Sequence, residues 1–163
     1  MLLRLTLLVW LVAVSCGKAQ PMRDPTADAN ELLDAMIGFS AQMLREHGEF
    51  YPYGAAMLPD GEITAVGAYD GDETPASQDV IDFLVEGFQA AAKSQEYVAT
   101  ALFFDARVNL PDGGGESDAV VVNIDHVNDF SVILVIPYSL GNDTLTLGEE
   151  VTYEGDHTIF PRD

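Results

Sequence analysis

Two segments of the chain carry apolar side chains at the spacing of an amphipathic helix. The first runs from Glu31 to Glu46, and the basic residue Arg45 followed by Gly48 is typical of a helix C-terminus. The second runs from Pro75 to about Ser94. The apolar stripes are Leu32, Leu33, Met36, Ile37, Phe39, Met43 and Leu44 in the first segment, and Val80, Ile81, Leu84, Val85, Phe88, Ala91 and Ala92 in the second. We therefore predict two main helices, each with one buried face.

The segments around the second helix have the period of β-strands. Ala55–Leu58 and Ile63–Tyr69 flank the turn residues Pro59-Asp60-Gly61, which predicts a hairpin. Tyr97–Leu110 alternates, with Leu102, Phe104, Ala106 and Val108 on one face and Ala101, Phe103, Asp105 and Arg107 on the other. This long segment is therefore predicted to be a strand with two distinct faces.

The C-terminal part of the chain predicts further strands. Ala119–His126 and Phe130–Tyr138 are joined by a tight turn at Asn128-Asp129, and the second of them is apolar throughout, as in a central strand covered on both faces. Leu145–Tyr153 predicts a weaker edge strand. The tail is predicted to fold back onto the domain through Ile159 and Phe160.

The order of these elements, α-β-β-α-β-β-β, predicts an α+β domain with a five- to six-stranded antiparallel sheet and two main helices. This order resembles that of profilin-like and roadblock-like domains, most of which bind other molecules. Residues 50–140 also resemble a group of small bacterial proteins without an assigned function. The resemblance rests on Tyr51-Pro52-Tyr53-Gly54, Asp60-Gly61-Glu62-Ile63, Pro75-Ala76-Ser77-Gln78-Asp79-Val80-Ile81-Asp82, Ala101-Leu102-Phe103-Phe104-Asp105 and Pro137-Tyr138. It implies one domain and assigns no catalytic residue.

The first 19 residues have the pattern of an export signal. Arg4 precedes the apolar run from Leu5 to Val14, and small residues follow it. Cleavage after Ala19 gives a free periplasmic or secreted protein. Alternatively, the segment around Cys16 resembles a bacterial lipobox, in which case Cys16 is acylated and anchors the protein to a membrane. The run is too short to span a bilayer. Residues 20–30 are interpreted as a linker, and residues 31–163 as a single domain.

The charge of the chain limits its partners. There are 27 acidic residues against 7 basic ones, and two of the basic residues, Arg4 and Lys18, lie in the leader. Such a surface repels nucleic acid and anionic lipid. Three explanations of the acidity stay open: adaptation to high salt, a basic protein partner, or solubility alone. Cys16 is the only cysteine, so the chain has no intrachain disulfide and no cysteine-based zinc site.

The segment Asp70-Gly71-Asp72-Glu73 is the strongest candidate for a metal site. Asp70, Asp72 and Glu73 supply hard oxygen ligands of the kind that Ca²⁺ prefers, although the EF-hand pattern fails at the following positions. The alternative is structural: Gly71 makes a turn, Thr74 caps the second helix and Pro75 occupies its first position. Inside that helix, Gly87 is expected to permit close packing against the sheet.

Other candidate sites involve histidines, aromatic residues and one ion pair. His47, His126 and His157 lack metal-binding spacing, but Asp125-His126 and Asp156-His157 would converge if the tail crosses the strand end. Asp105 and Arg107 predict either a cross-strand ion pair or a polar anchor in a ligand groove. Tyr51, Tyr53 and Tyr69 cluster around the first hairpin and predict either a recognition surface or a lid on the core.

These patterns favour an exported, non-enzymatic binding domain of the cell envelope, with a basic protein or a small ligand as partner. One version of this hypothesis is an immunity-type protein that masks a cationic toxin. The alternative is a small hydrolase that uses carboxylates or a weakly bound metal such as Ca²⁺. No other cofactor and no nucleic acid is expected.

Overall fold

The computed structural model describes residues 23–68, 71, 74–111, 114–141 and 144–162, which form an α+β domain. Within these residues there are two helices and seven strands: α1 (Pro25–His47), β1 (Tyr53–Met57), β2 (Ile63–Val66), α2 (Ser77–Lys93), β3 (Ala99–Asn109), β4 (Glu116–His126), β5 (Phe130–Gly141), β6 (Thr144–Leu147) and β7 (Val151–Glu154). The strands form one antiparallel sheet in the order β2-β1-β3-β4-β5, and β6 and β7 both pair with the outer side of β5. The predicted fold class, an α+β domain with two helices and an antiparallel sheet, is confirmed, but the described sheet has seven strands instead of the predicted five or six.

Helix α1 begins earlier than the sequence pattern predicts. Pro25 occupies the first turn of the helix. Asp24 is the N-cap, since its carboxylate accepts a hydrogen bond of 3.2 Å from the Thr26 N–H. The interpretation of residues 20–30 as a linker is therefore wrong from Pro25 onward. The predicted C-terminus is confirmed, since Gly48 adopts a left-handed φ of 78° directly after the helix.

Helix α2 begins later than predicted, at Ser77, and its cap is Ala76, which makes no side-chain capping bond. The assignment of Thr74 as the cap and Pro75 as the first helical residue is therefore wrong. The predicted turn at Gly71 agrees with its φ of 99°. The stripe is confirmed, because Val80, Leu84, Phe88 and Ala91 are buried.

The edge of the sheet beside β5 differs from the prediction of one strand over Leu145–Tyr153. Tyr138 pairs with Leu147 and Val135 pairs with Val151, so three residues, 148–150, lie opposite Ile136 and Pro137. The edge therefore has one residue more than β5 at this point. The resulting β-bulge divides the edge into β6 and β7. Pro137 has no N–H to offer the ladder at this point. Strand β5 itself is interior to the sheet, but β3 and β4 occupy its centre.

The two helices lie on opposite faces of the sheet. Helix α1 packs on the face that carries Tyr53, Ala101 and Phe103, and this is the larger hydrophobic core. Helix α2 packs on the other face, through Phe88, against Ala56 and Leu102. The tail joins this second core through Ile159, as the sequence predicts. Alternate side chains of β3 therefore pack into two hydrophobic cores, one under each helix.

Contact between α2 and the sheet depends on Gly54. A Cβ atom at Gly54 would overlap the ring of Phe88, which is fully buried. Gly87, in contrast, is exposed, and a Cβ atom there would meet no other atom within 4 Å. The expectation that Gly87 permits the close packing is therefore wrong, and Gly54 has that role.

We expect the Gly54→Ala and Gly87→Ala variants to change stability in opposite directions. Gly54→Ala overpacks the core and should lower the free energy of unfolding by about 1–3 kcal/mol. Gly87→Ala replaces an exposed helical glycine and should raise it by about 0.5–1 kcal/mol. Urea titrations of both variants measure the two effects. Equal stability of the two variants would contradict this account of the packing.

Candidate functional site

The C-terminal tail forms a strap across the sheet face that α2 covers. We call residues 155–162 the strap. It starts where β7 ends, and its Gly155 N–H donates a hydrogen bond of 3.1 Å to the Ser131 carbonyl. A Cβ atom at Gly155 would overlap the Ser131 hydroxyl and lie 2.9 Å from the Val132 nitrogen. The close approach of strap and β5 therefore requires glycine here.

One buried carboxylate, that of Asp125 on β4, holds the middle of the strap. It accepts a hydrogen bond of 2.7 Å from the Ile159 N–H and another from the Ser131 hydroxyl. The Ser131 hydroxyl in turn accepts a hydrogen bond of 3.2 Å from the His157 N–H. On the other side, the Gln89 side chain of α2 donates a hydrogen bond of 3.0 Å to the Thr158 carbonyl. The strap is thus tied to β4, β5 and α2.

A groove of about 810 Å³ lies between the strap, the end of α2 and the turn between β4 and β5. We call it the strap groove. Gln89, Ala92 and Lys93 line it from α2, Val127 and Asp129 from the turn, and residues 158–162 from the strap. Its volume is in the range of small-molecule sites in proteins. Most of its wall is apolar, with a few charged groups at the rim.

The charged groups of the strap groove are Lys93, Arg162 and Asp129. The Arg162 Nε donates a hydrogen bond of 2.5 Å to Asp129, and its Nη1 lies 3.6 Å from the Glu154 carboxylate. The Lys93 side chain is exposed and has no ion pair within the described part of the chain. The two carboxylates balance the two bases here, but both lie against Arg162, so Lys93 is an unpaired positive charge in a protein with a formal net charge of −20.

His157 lies beside the strap groove in an unusual environment. Its side chain is only 7% exposed, and neither ring nitrogen has a hydrogen-bond partner among the described residues. Its Nδ1 is 3.9 Å from the Asp129 carboxylate. His157 and Asp129 both adopt left-handed φ angles, 51° and 54°. Such strained and unpaired groups are more frequent at functional sites than elsewhere.

A smaller chamber of about 90 Å³ lies behind the strap, on the sheet. Its polar wall includes Thr100, Asn123 and Asp125, and its apolar wall includes Phe88. The Asn123 Oδ1 has no partner within the described residues. The chamber has room for about three water molecules at liquid density. Thr158 and Ile159 line both spaces, so the strap separates the chamber from the groove.

A second buried polar cluster lies on the opposite face of the sheet. Asp28 of α1, 2% exposed, receives hydrogen bonds of 2.8 and 2.9 Å from the Arg23 Nε and lies 3.1 Å from the His126 Nε2. The Asn128 N–H donates a hydrogen bond of 2.9 Å to the His126 Nδ1. Because Nδ1 accepts, Nε2 carries the proton that His126 donates to Asp28, and the imidazole is neutral.

This cluster keeps Asp28 ionised. Burial alone would raise the pKa of Asp28, but the hydrogen bonds from Arg23 and His126 outweigh burial and hold its pKa below the ordinary value. The cluster joins the start of α1 to the end of β4 through the hydrogen bonds that Asp28 accepts. We assign it a structural role.

The candidate pair Asp105 and Arg107 lies on one face of β3, as predicted, but the two side chains have separate partners. Asp105 accepts a hydrogen bond of 2.9 Å from the Tyr138 hydroxyl, and burial raises the pKa of its carboxyl group. Arg107 pairs across the strands with Glu116 at 3.2 Å and with Asp118 at 3.4 Å. The predicted cross-strand ion pair is confirmed for Arg107, and neither residue lines the strap groove.

The tyrosines of the first hairpin do not act as one surface. Tyr53 is buried, its ring stacks on Phe103 with 4.8 Å between centroids, and its hydroxyl donates to the Met36 carbonyl at 2.9 Å. Burial raises the pKa of Tyr53 to about 12. The prediction that Tyr53 belongs to a recognition surface is therefore wrong. Tyr51 is 53% exposed and stays a candidate.

The remaining predicted site residues lie outside the described part of the chain. They are Asp70, Asp72 and Glu73 of the candidate metal segment, Tyr69, and Cys16 of the leader. Within the described ranges, no group of three or more His, Cys, Asp or Glu side chains is placed to hold a metal ion. The tail does cross the end of β4, yet His126 and His157 have different neighbours. No helix in the described ranges is long and apolar enough to cross a membrane.

Comparisons with protein-family models, with curated proteins and with solved structures found no match. The candidate site is therefore defined by its geometry.

The sequence pattern did not identify the strap groove. Its residues come from three elements, and Lys93 and Arg162 are far apart in the chain, so no local motif marks them. Two signals were present. Lys93 is the only lysine after the leader, and Ile159 and Phe160 are apolar residues in an otherwise polar tail. The first signal marks a rare positive charge and the second a tail that docks on the domain, but neither shows that the two lie close together.

Proposed function

We propose that this protein is an exported, non-enzymatic binding domain that holds a small amphipathic ligand in the strap groove. The observation that carries this proposal is the groove itself, about 810 Å³ in volume, with an apolar wall and three charged side chains at its rim. Binding sites for small molecules are concave, mostly apolar and supplied with a few polar groups.

The walls of the groove are held by specific bonds, which supports a binding role. Asp125 and Gln89 fix the strap, and the pairing of Arg162 with Asp129 fixes its end against the turn between β4 and β5. A site whose walls are already in place loses less conformational entropy when a ligand binds. Export rests on the leader sequence, with release after Ala19 or a lipid anchor at Cys16 as the two alternatives. The prediction of a basic protein partner rests on charge alone and stays a prediction.

The proposal is tested with four probes that share an aliphatic chain and differ in head group: octanoate, octyl phosphate, octanol and octylammonium. Each is titrated into isotopically labelled protein, and amide chemical shifts are followed by NMR. We expect saturable shifts at Val127, Thr158 and Phe160 with at least one probe. The Ala92→Trp variant, which fills the groove, should abolish them.

The matched control is Ala90→Trp, since Ala90 is exposed on the same helix and does not line the groove. It should bind as the wild type does. If no probe shifts the groove residues at millimolar concentration, or if both tryptophan variants behave alike, the groove is not a ligand site and the proposal is overturned.

A further inference from the structure

Basic side chains are concentrated at the strap groove. The described residues contain five of them, Arg23, Arg45, Lys93, Arg107 and Arg162. Lys93 and Arg162 line the groove, whereas Arg23 and Arg107 are engaged in ion pairs elsewhere. In a chain with 27 acidic residues, the meeting of two bases at one concave site distinguishes that site from the rest of the surface.

Lys93 and Arg162 differ in how far carboxylates of the protein already occupy them. Arg162 is held by Asp129 and Glu154 through its Nε and Nη1, so its position is fixed before any ligand arrives. Lys93 has no carboxylate partner within the described part of the chain. An ammonium group has three donors and no acceptor, so a ligand that pairs with Lys93 must bring acceptor oxygens.

The apolar wall lies next to these charges. Val127 is 53% exposed although it is a valine, and Phe160 and Pro161 continue the wall along the strap. An aliphatic chain that covers this wall removes apolar surface from water, which favours binding. The groove thus places an apolar surface beside Lys93, the base that has no carboxylate partner within the described part of the chain.

We propose that the ligand of the strap groove is an organic anion with an aliphatic part, whose carboxylate or phosphate group meets Lys93 and whose chain covers Val127 and Phe160. This inference rests on the proposed function, because it names the chemical class of the ligand for the same groove. Both head groups offer the oxygens that an ammonium group binds. The affinity for octanoate relative to that for octyl phosphate distinguishes a carboxylate ligand from a phosphate ligand.

The test compares head groups and removes one charge. At 0.15 M salt, octanoate or octyl phosphate should bind at least about tenfold more tightly than octanol and octylammonium, a difference of about 1.4 kcal/mol. The Lys93→Gln variant should weaken anion binding by roughly fivefold, as expected for one partly exposed ion pair, and leave octanol binding unchanged.

The matched control is Arg45→Gln, which removes an exposed positive charge from α1, on the other face of the sheet. It should leave all affinities as in the wild type. If octanol binds as tightly as the anions, or if Lys93→Gln and Arg45→Gln have the same effect, recognition of an anion is overturned while the binding groove stands. If none of the four probes shifts the amide signals of the groove residues in the wild type, the proposed function itself is overturned.

Discussion

The Asp28→Ala variant is expected to lose about 3 kcal/mol of unfolding free energy, measured by urea denaturation. Asp28 is the acceptor for both Arg23 and His126, and removal of one member of a buried ionic cluster costs about 3–5 kcal/mol. The lower end applies because Arg23 is partly exposed and still has Glu31 at 3.2 Å. The His126 Nε2–H, in contrast, is left buried without an acceptor.

The matched control for this variant is Asp34→Ala. Asp34 lies on the same helix and carries the same charge, but it is exposed. Its replacement should change the free energy of unfolding by no more than about 0.5 kcal/mol. If the two variants differ by less than about 1 kcal/mol, the cluster of Arg23, Asp28 and His126 does not have the structural role assigned to it.

The Asp125→Ala variant is expected to release the strap. It deprives the Ile159 N–H and the Ser131 hydroxyl of their acceptor, and each buried donor left unpaired costs about 1–3 kcal/mol. Because the strap can detach and expose its donors to water, the loss of global stability should be about 2 kcal/mol, and the strap should open locally. Amide hydrogen exchange at Ile159 should accelerate at least about tenfold, which corresponds to about 1.4 kcal/mol.

The control for this variant is Asp156→Ala, which removes an exposed carboxylate of the strap itself. Exchange at Ile159 should then stay as slow as in the wild type. An Asp125→Ala protein with normal protection at Ile159 would show that Asp125 does not hold the strap. The strap would then have to be held by its other contacts, namely the hydrogen bond from Gln89 to Thr158, the pairing of Arg162 with Asp129 and the packing of Ile159.

The fold could be predicted from the sequence because both helices and the long strands have clear periodicity. The two faces of β3 follow directly from the alternation of Leu102 and Phe104 with Ala101 and Phe103. The start of α1 was missed because its first turn, Pro25–Asp28, lacks large apolar residues. The capping signal Asp24-Pro25 was present, but it resembled a polar linker.

The polar clusters could not be predicted, since their members are distant in sequence. Asp28 and His126 are separated by 98 positions, and Ile159 and Asp125 by 34. Asp28 lies four positions before Leu32 and therefore on the buried face of α1, but the sequence does not show that Arg23 and His126 are its partners. In the same way, an aromatic cluster in the sequence does not distinguish the buried Tyr53 from the exposed Tyr51.

The location of a bound anion tests the central claim most directly. A nitroxide-labelled octanoate broadens the amide signals of nearby residues in an NMR spectrum. If the anion binds in the strap groove, broadening should be centred on Lys93, Val127 and Phe160. These residues belong to α2, to the turn between β4 and β5 and to the strap, respectively. Broadening centred elsewhere, for example around the exposed Tyr51, or no broadening at all, would contradict the assignment of this groove as the ligand site.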